Sequence, residues 1–91
     1  MPLYRKKPVI INAVQNDGVW KTIVDWLSEI EKKGIQISRK VGVTRNMNGS
    51  LIVRTRDGSI HAEIDDWVIC DEKGEFYKCE PDIFEATYEP V

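Results

Sequence analysis

The chain has 91 residues, of which 42% are hydrophobic and 31% charged, and its formal net charge is −2. This length and composition are those of one globular domain over residues 1–91, and they exclude an intrinsically disordered chain. No run of residues approaches the roughly 20 apolar positions of a membrane span, and the apolar run from Pro8 to Ile11 is too short for the core of a signal peptide. We therefore expect a cytoplasmic protein with no membrane partner.

Charge is distributed unevenly along the chain. Residues 1–60 carry eleven basic and five acidic side chains, whereas residues 61–91 carry two and ten. Seven basic residues and no acidic ones lie between Lys32 and Arg56. An anionic partner responds to the local potential rather than to the total charge, so the overall balance does not exclude such a partner. The alternative is a solvated surface whose asymmetry has no function.

The first third of the chain predicts a strand followed by a helix. Residues 9–14 are nearly continuous in apolar side chains, which is typical of a strand buried on both faces. Asp17 is expected to cap a helix that runs from Gly18 to Lys33, and Gly34 is expected to follow its last turn. One apolar stripe at three- and four-residue steps marks the face that joins the core: Val19, Trp20, Ile23, Trp26, Leu27 and Ile30.

The middle of the chain predicts antiparallel strands. Residues 35–43 predict a strand with a bulge near Arg39 and Lys40, and residues 51–56 predict the next. The link contains Asn48-Gly49, a hairpin signal. A three-residue loop over residues 47–49 would bring Val43 opposite Val53 on the buried face, with Gly49 at positive φ.

The following turn is expected at Asp57-Gly58. Two residues are expected to form this turn, so that Leu51 lies opposite Ile64 and His61 lies across from Arg54 on the other face.

The last third predicts a hairpin, with strands at residues 67–70 and 75–79 around a turn at residues 71–74, and then a short helical turn that starts at Pro81 or Asp82. The fold class is therefore α+β: one amphipathic helix packed on a curled, mainly antiparallel sheet of five to six strands in a β-α-β-β-β-β meander. One helix cannot cover both faces of that sheet, so the sheet either curls into a half-open barrel or meets another subunit.

Metal and cofactor sites are not expected. His61 is the only histidine, no C-x-x-C or H-x-x-x-H spacing occurs, and the six glycines form no phosphate-binding loop. Cys70 and Cys79 flank the last hairpin turn, where a cytoplasmic location favours two free thiols over a cross-strand disulfide.

Two groups of residues are candidates for ligand binding. The basic group could hold an anionic ligand, and consists of Arg5, Lys6, Lys7, Arg39, Lys40, Arg54 and His61. The second group is Trp67, Glu75 and Tyr77, which could form a pocket with an aromatic wall. Alternatively, Tyr77 bonds a backbone group and Glu75 pairs with Lys73.

The two ends of the chain carry linked motifs: YRKKPV at residues 4–9, DWVI at 66–69, GEFY at 74–77 and DIFEATYE at 82–89. Together they resemble a family of small, uncharacterised proteins of tailed phages and prophages, which open Y-R-K-K-P-V and continue with P-G-D-[YW]-I, G-E-F-Y and D-I-F-E-x-T-Y-E. The Pro-Gly turn of that family is Ile64-Asp65 here. A Glu expected in the first strand is Asn12, and a Trp expected near its end is Asn16.

The resemblance implies a phage or prophage accessory protein in the host cytoplasm, and it brings no catalytic residue with it. We expect a non-enzymatic protein that acts by binding, as a homo-oligomer, on a host protein or a small anionic ligand, in host takeover or counter-defence. One alternative is a nucleic-acid-binding module that uses the basic N-terminal and central segments, although the exposed aromatic residues typical of such modules are not interleaved with them. Another is a small enzyme that uses His61 and Glu63 as acid and base.

Overall fold

The computed structural model describes residues 2–3, 11–37, 42–55 and 57–90. Within these residues six strands and two helices follow one another as β1 Asn12–Gln15, α1 Trp20–Lys32, β2 Gly42–Arg45, β3 Leu51–Thr55, β4 Gly58–Ala62, β5 Trp67–Cys70, β6 Phe76–Cys79 and α2 Pro81–Thr87.

The strands form two antiparallel sheets of three strands each. Sheet A has the order β1-β5-β6, and sheet B has the order β2-β3-β4. The predicted α+β class with mainly antiparallel strands is confirmed, and the described residues form no closed barrel. The predicted continuous meander is interrupted between β4 and β5, because β5 pairs with β1 from the start of the chain instead of with β4.

The core is built by α1 and one face of each sheet. Ile23, Trp26 and Ile30 of α1 are buried as predicted, and the edge of the Trp26 ring meets Phe76 at a centroid distance of 6.0 Å. Val19 was predicted to share this face, but it precedes the first helical residue and is 54% exposed. The sheets contribute the other buried members of the core: Val43, Leu51, Val53, Ala62, Val68, Cys70 and Phe76.

The first strand differs from its prediction. Residues 9 and 10 of the predicted strand lie outside the described residues, and Asn12–Gln15 are half-buried throughout rather than buried on both faces. The reason is that β1 lies at the edge of sheet A, where β5 is its only strand partner among the described residues.

The start of α1 is organised by Asp17, although the N-cap residue is Val19. One carboxylate oxygen of Asp17 accepts the Val19 N–H at 2.9 Å, and the other accepts the Thr22 hydroxyl proton at 2.9 Å. The N–H of Val19 and then the Thr22 hydroxyl lower the pKa of Asp17. Asp17 therefore stabilises the helix start as predicted, but from a position two residues before the N-cap residue Val19.

The hairpin between β2 and β3 has the predicted register. Val43 lies opposite Val53, and the N–H of Asn46 donates to the Ser50 carbonyl at 2.9 Å across the three-residue loop. Gly49 has φ 88°, as the prediction requires. Burial of the β2 and β3 core faces therefore set the loop length.

The hairpin between β3 and β4 is shifted by two residues from its prediction. Leu51 pairs with Ala62 rather than Ile64, because β4 already begins at Gly58 opposite Thr55. The Thr55 hydroxyl closes this turn by donating to the Gly58 carbonyl at 2.8 Å. A shift of two keeps each side chain on its predicted face.

As a result His61 lies opposite Ile52, and the predicted pairing of His61 with Arg54 is wrong; Arg54 lies opposite Ser59.

Two further segments differ in extent from their predictions. The strand predicted over residues 35–43 is irregular at residues 35–37, and the predicted bulge at Arg39 and Lys40 lies outside the described residues. The helical turn predicted at Pro81 extends to Thr87, and its Phe84 ring stacks on Trp67 with centroids 3.9 Å apart. This contact places α2 on the face of sheet A that carries Trp67.

Candidate functional site

A buried asparagine joins the segments around the start of α1. The Asn16 side chain is 1% exposed, and its amide nitrogen donates to the carbonyls of Gly49 at 3.0 Å and Glu63 at 3.2 Å, with Ala62 at 3.4 Å. Its amide oxygen accepts the Gly18 N–H at 3.0 Å. One side chain thus connects the β1–α1 link, the β2–β3 loop and the end of β4.

Beside this junction lies a cleft between the start of α1 and the β2–β3 loop. Its volume is about 380 Å³, within the range of small-molecule sites. We call it the Arg45 cleft; it is lined by Asn16, Gly18, Val19, Trp20, Arg45, Asn46, Met47, Gly49 and Leu51.

Among the described residues, Arg45 is the one charged side chain that lines the cleft. The Arg45 guanidinium lies over the Trp20 ring, 5.6 Å from its centroid, in a cation–π contact. No described carboxylate lines the cleft or forms an ion pair with Arg45. The fully exposed side chain of Met47 and the half-exposed Val19 add apolar surface at its rim. The cleft therefore combines apolar walls with a cation whose hydrogen-bond donors are available.

A second hollow lies after α1 and has a different character. It has a volume of about 500 Å³ and is lined by residues 34–37 together with Glu31. Among the described residues, Glu31 is its only charged lining residue and none of the lining residues is aromatic. The Arg45 cleft is thus the better match for an anion.

The residues predicted from sequence to bind a ligand are not brought together. Arg54 and His61 are exposed on the face of sheet B that points away from the core. Trp67 is stacked against Phe84, and its indole N–H is buried without a partner among the described residues. The other basic candidates lie outside the described part of the chain: Arg5, Lys6, Lys7, Arg39 and Lys40.

Glu75 ends the turn between β5 and β6, and Tyr77 is the second residue of β6. The Tyr77 hydroxyl lies 2.9 Å from a Glu75 carboxylate oxygen and 3.2 Å from one of Asp71. The hydrogen bond to Glu75, followed by desolvation and the hydrogen bond to Asp71, raises the pKa of Tyr77 to about 12. The hydroxyl thus bonds side-chain carboxylates, in place of the backbone group that one reading of the sequence expected.

The two cysteines lie on opposite faces of sheet A. Cys70 is opposite Phe76 and points into the core, whereas Cys79 is opposite Trp67 on the other face. Both are free thiols. Burial, and then the charge of Asp71, raises the pKa of Cys70 to about 11. Because the two side chains project from opposite faces of the sheet, this register does not allow a disulfide between Cys70 and Cys79.

Within the described ranges no group of three or more histidine, cysteine and acidic side chains could hold a metal ion. The helices of the same ranges include none long and apolar enough to cross a membrane.

Arg45, Trp20 and Met47 were not singled out from the sequence. Arg45 was one of seven basic residues in its segment, and Trp20 was assigned to the core. The available signal was the Asn-Gly hairpin, since its loop projects Asn46 and Met47 beyond the sheet, but the proximity of this loop to Trp20 depends on the tertiary fold. No family model, curated protein or solved structure matches the chain.

Proposed function

We propose that the protein is a non-enzymatic accessory protein of the phage or prophage type, and that it acts by capturing a small anionic ligand in the Arg45 cleft. The observation that carries the proposal is the Arg45 guanidinium, which lies over the Trp20 ring in a cleft of about 380 Å³ that no described carboxylate lines. The apolar walls favour an anionic group attached to an apolar body over a bare inorganic ion. Capture of such a molecule would serve host takeover or counter-defence.

The first test is native mass spectrometry on protein purified gently from its expression host. A ligand held in the cleft adds a constant mass, which identifies the ligand. Arg45→Ala should lose that mass, and Lys32→Ala, which removes an exposed cation from the last turn of α1, should retain it.

A titration with phenyl phosphate tests the same cleft with a known probe. Loss of a charge-assisted hydrogen bond costs about 1.5–3 kcal/mol, so Arg45→Ala should weaken binding by roughly ten- to a hundredfold. Isothermal titration calorimetry measures this ratio, with phosphate and phenol as separate controls for the two halves of the probe.

A bare protein that binds no phenyl phosphate at millimolar concentration would overturn the proposal. So would equal binding by the wild type and Arg45→Ala. Binding of an oligonucleotide that falls steeply with salt would instead favour the nucleic-acid prediction.

A further inference from the structure

The outer face of sheet B is not covered by any described element. Thr44, Arg54, Ser59 and His61 are exposed on it, and Ile52 is half-buried between them. The Arg54 guanidinium extends across β2, where one of its nitrogens lies 3.7 Å from the position of a Cβ on Gly42. The described strands place no carboxylate on this face, but the exposed Glu63 follows β4 directly as the next residue of the same alternation. No described residue forms an ion pair with Arg54. The face offers a cation beside a small apolar centre.

The outer side of α2 has the complementary composition. Phe84 binds the helix to Trp67, so the opposite side of α2 is directed away from sheet A. At 3.6 residues per turn that side carries the exposed acid Asp82, with the exposed Glu85 on one flank and Ile83, which is 52% exposed, on the other. The helix makes no ion pair within the described residues.

We infer that α2 of one copy of the chain docks on the outer face of sheet B of a second copy. The carboxylates of Asp82 and Glu85 would lie at Arg54, and Ile83 would cover Ile52. A second copy is the occupant that the molecule itself provides, because the basic face and its acidic, apolar counterpart are both present on this chain. The charge of the whole chain is distributed in the same way, since residues 61–91, which include α2, carry ten acids and residues 1–60, which include Arg54, carry eleven bases.

The dimensions of the two surfaces agree. A helix of seven residues is roughly 10 Å long, and three adjacent strands span roughly 10 Å between the outer two. A contact between two different surfaces is heterologous. The copies therefore form a closed ring if the rotation between neighbouring copies returns to the first copy, and an open filament if it does not. The contact is small and rests on exposed charges, so it should weaken strongly with salt.

The test uses two variants that are incompatible with themselves but compatible with each other. Arg54→Glu makes both surfaces acidic, and the double variant Asp82→Lys, Glu85→Lys makes both basic. Each variant alone should be monomeric in sedimentation velocity, with self-association at least about tenfold weaker than that of the wild type. An equimolar mixture should recover the assembly, because each acidic surface again meets a basic one.

Lys21→Glu is the matched control, since it reverses an exposed charge on α1 outside both surfaces and should assemble like the wild type. Circular dichroism confirms that each variant is folded. Raising the salt from about 0.1 M to about 1 M, where the Debye length is about 3 Å, should dissociate the wild type.

A wild type that is monomeric at low salt and high protein concentration would overturn the inference. The same holds if the mixture stays monomeric while the wild type assembles. The Arg45 cleft lies outside both surfaces, so these results are independent of phenyl phosphate binding.

Discussion

The replacement of Asn16 by alanine should destabilise the protein more than any exposed substitution near it. The amide nitrogen has two protons for its three carbonyl acceptors, and the amide oxygen accepts the Gly18 N–H, so about three hydrogen bonds are lost. At about 0.5–1.5 kcal/mol each, and with the side chain 1% exposed, the free energy of unfolding should fall by about 2–4 kcal/mol. This is a large share of the roughly 5–10 kcal/mol expected for a domain of this size.

Urea unfolding followed by tryptophan fluorescence measures this loss. Gln15→Ala is the control, because Gln15 precedes Asn16 and makes one exposed hydrogen bond, to the carbonyl of Asp65; it should cost less than about 1 kcal/mol. If Asn16→Ala costs no more than Gln15→Ala, the three connected segments do not depend on this side chain, and the reasoning from its contacts is wrong.

Three further predictions concern the turns. Asp65 has φ 79°, so Asp65→Gly should raise the free energy of unfolding by about 0.5–1 kcal/mol in the same urea assay, and an unchanged or lower value would contradict it. Gly74 has φ 82°, and an added Cβ would overlap the Gln36 carbonyl oxygen, so Gly74→Ala should cost roughly 2–4 kcal/mol in that assay; a loss below 1 kcal/mol would refute the overlap. In the folded protein the pKa of Tyr77 is raised to about 12. The stability contributed by its hydroxyl is therefore complete at pH values below the pKa of Tyr77 in the unfolded chain, and it is lost as the pH rises through the folded-state pKa. Absorbance titration should show a late phenolate transition that Tyr77→Phe removes and Glu75→Gln shifts to lower pH; a transition unmoved by Glu75→Gln would disprove that cause.

The elements that could be predicted from sequence are those specified by local pattern. The α1 stripe places Ile23, Trp26 and Ile30 in the core because a helix repeats every 3.6 residues. The loop ending at Gly49 followed from the need to keep Val43 and Val53 on one face.

The β3–β4 register could not be found in this way. A shift of two residues leaves every side chain on its face, so hydrophobic alternation does not distinguish Ile64 from Ala62 as the partner of Leu51. The decision depended on the turn, where the Thr55 hydroxyl bonds the Gly58 carbonyl. The division of the strands into two sheets also depends on long-range contacts, because it results from the pairing of β1 with β5.

The candidate site depended on long-range proximity as well. Trp20 and Arg45 are 25 positions apart, and neither has a local pattern that distinguishes it from the other tryptophans or basic residues of the chain. Their contact exists because the Asn16 side chain holds the loop at Gly49 close to the start of α1.

Asn16 and the turn at Ile64 and Asp65 are neighbours in the fold and share one wall of the candidate site. Asp65 adopts a positive φ, and its N–H donates to the Asn16 carbonyl at 2.8 Å. The Asn16 side chain holds the Gly49 and Glu63 carbonyls. Ile64 approaches Gly49, with its Cδ1 3.1 Å from the position of a Cβ there. Because Asn16 and Gly49 also line the Arg45 cleft, a substitution that moves this turn should alter the wall of the cleft as well.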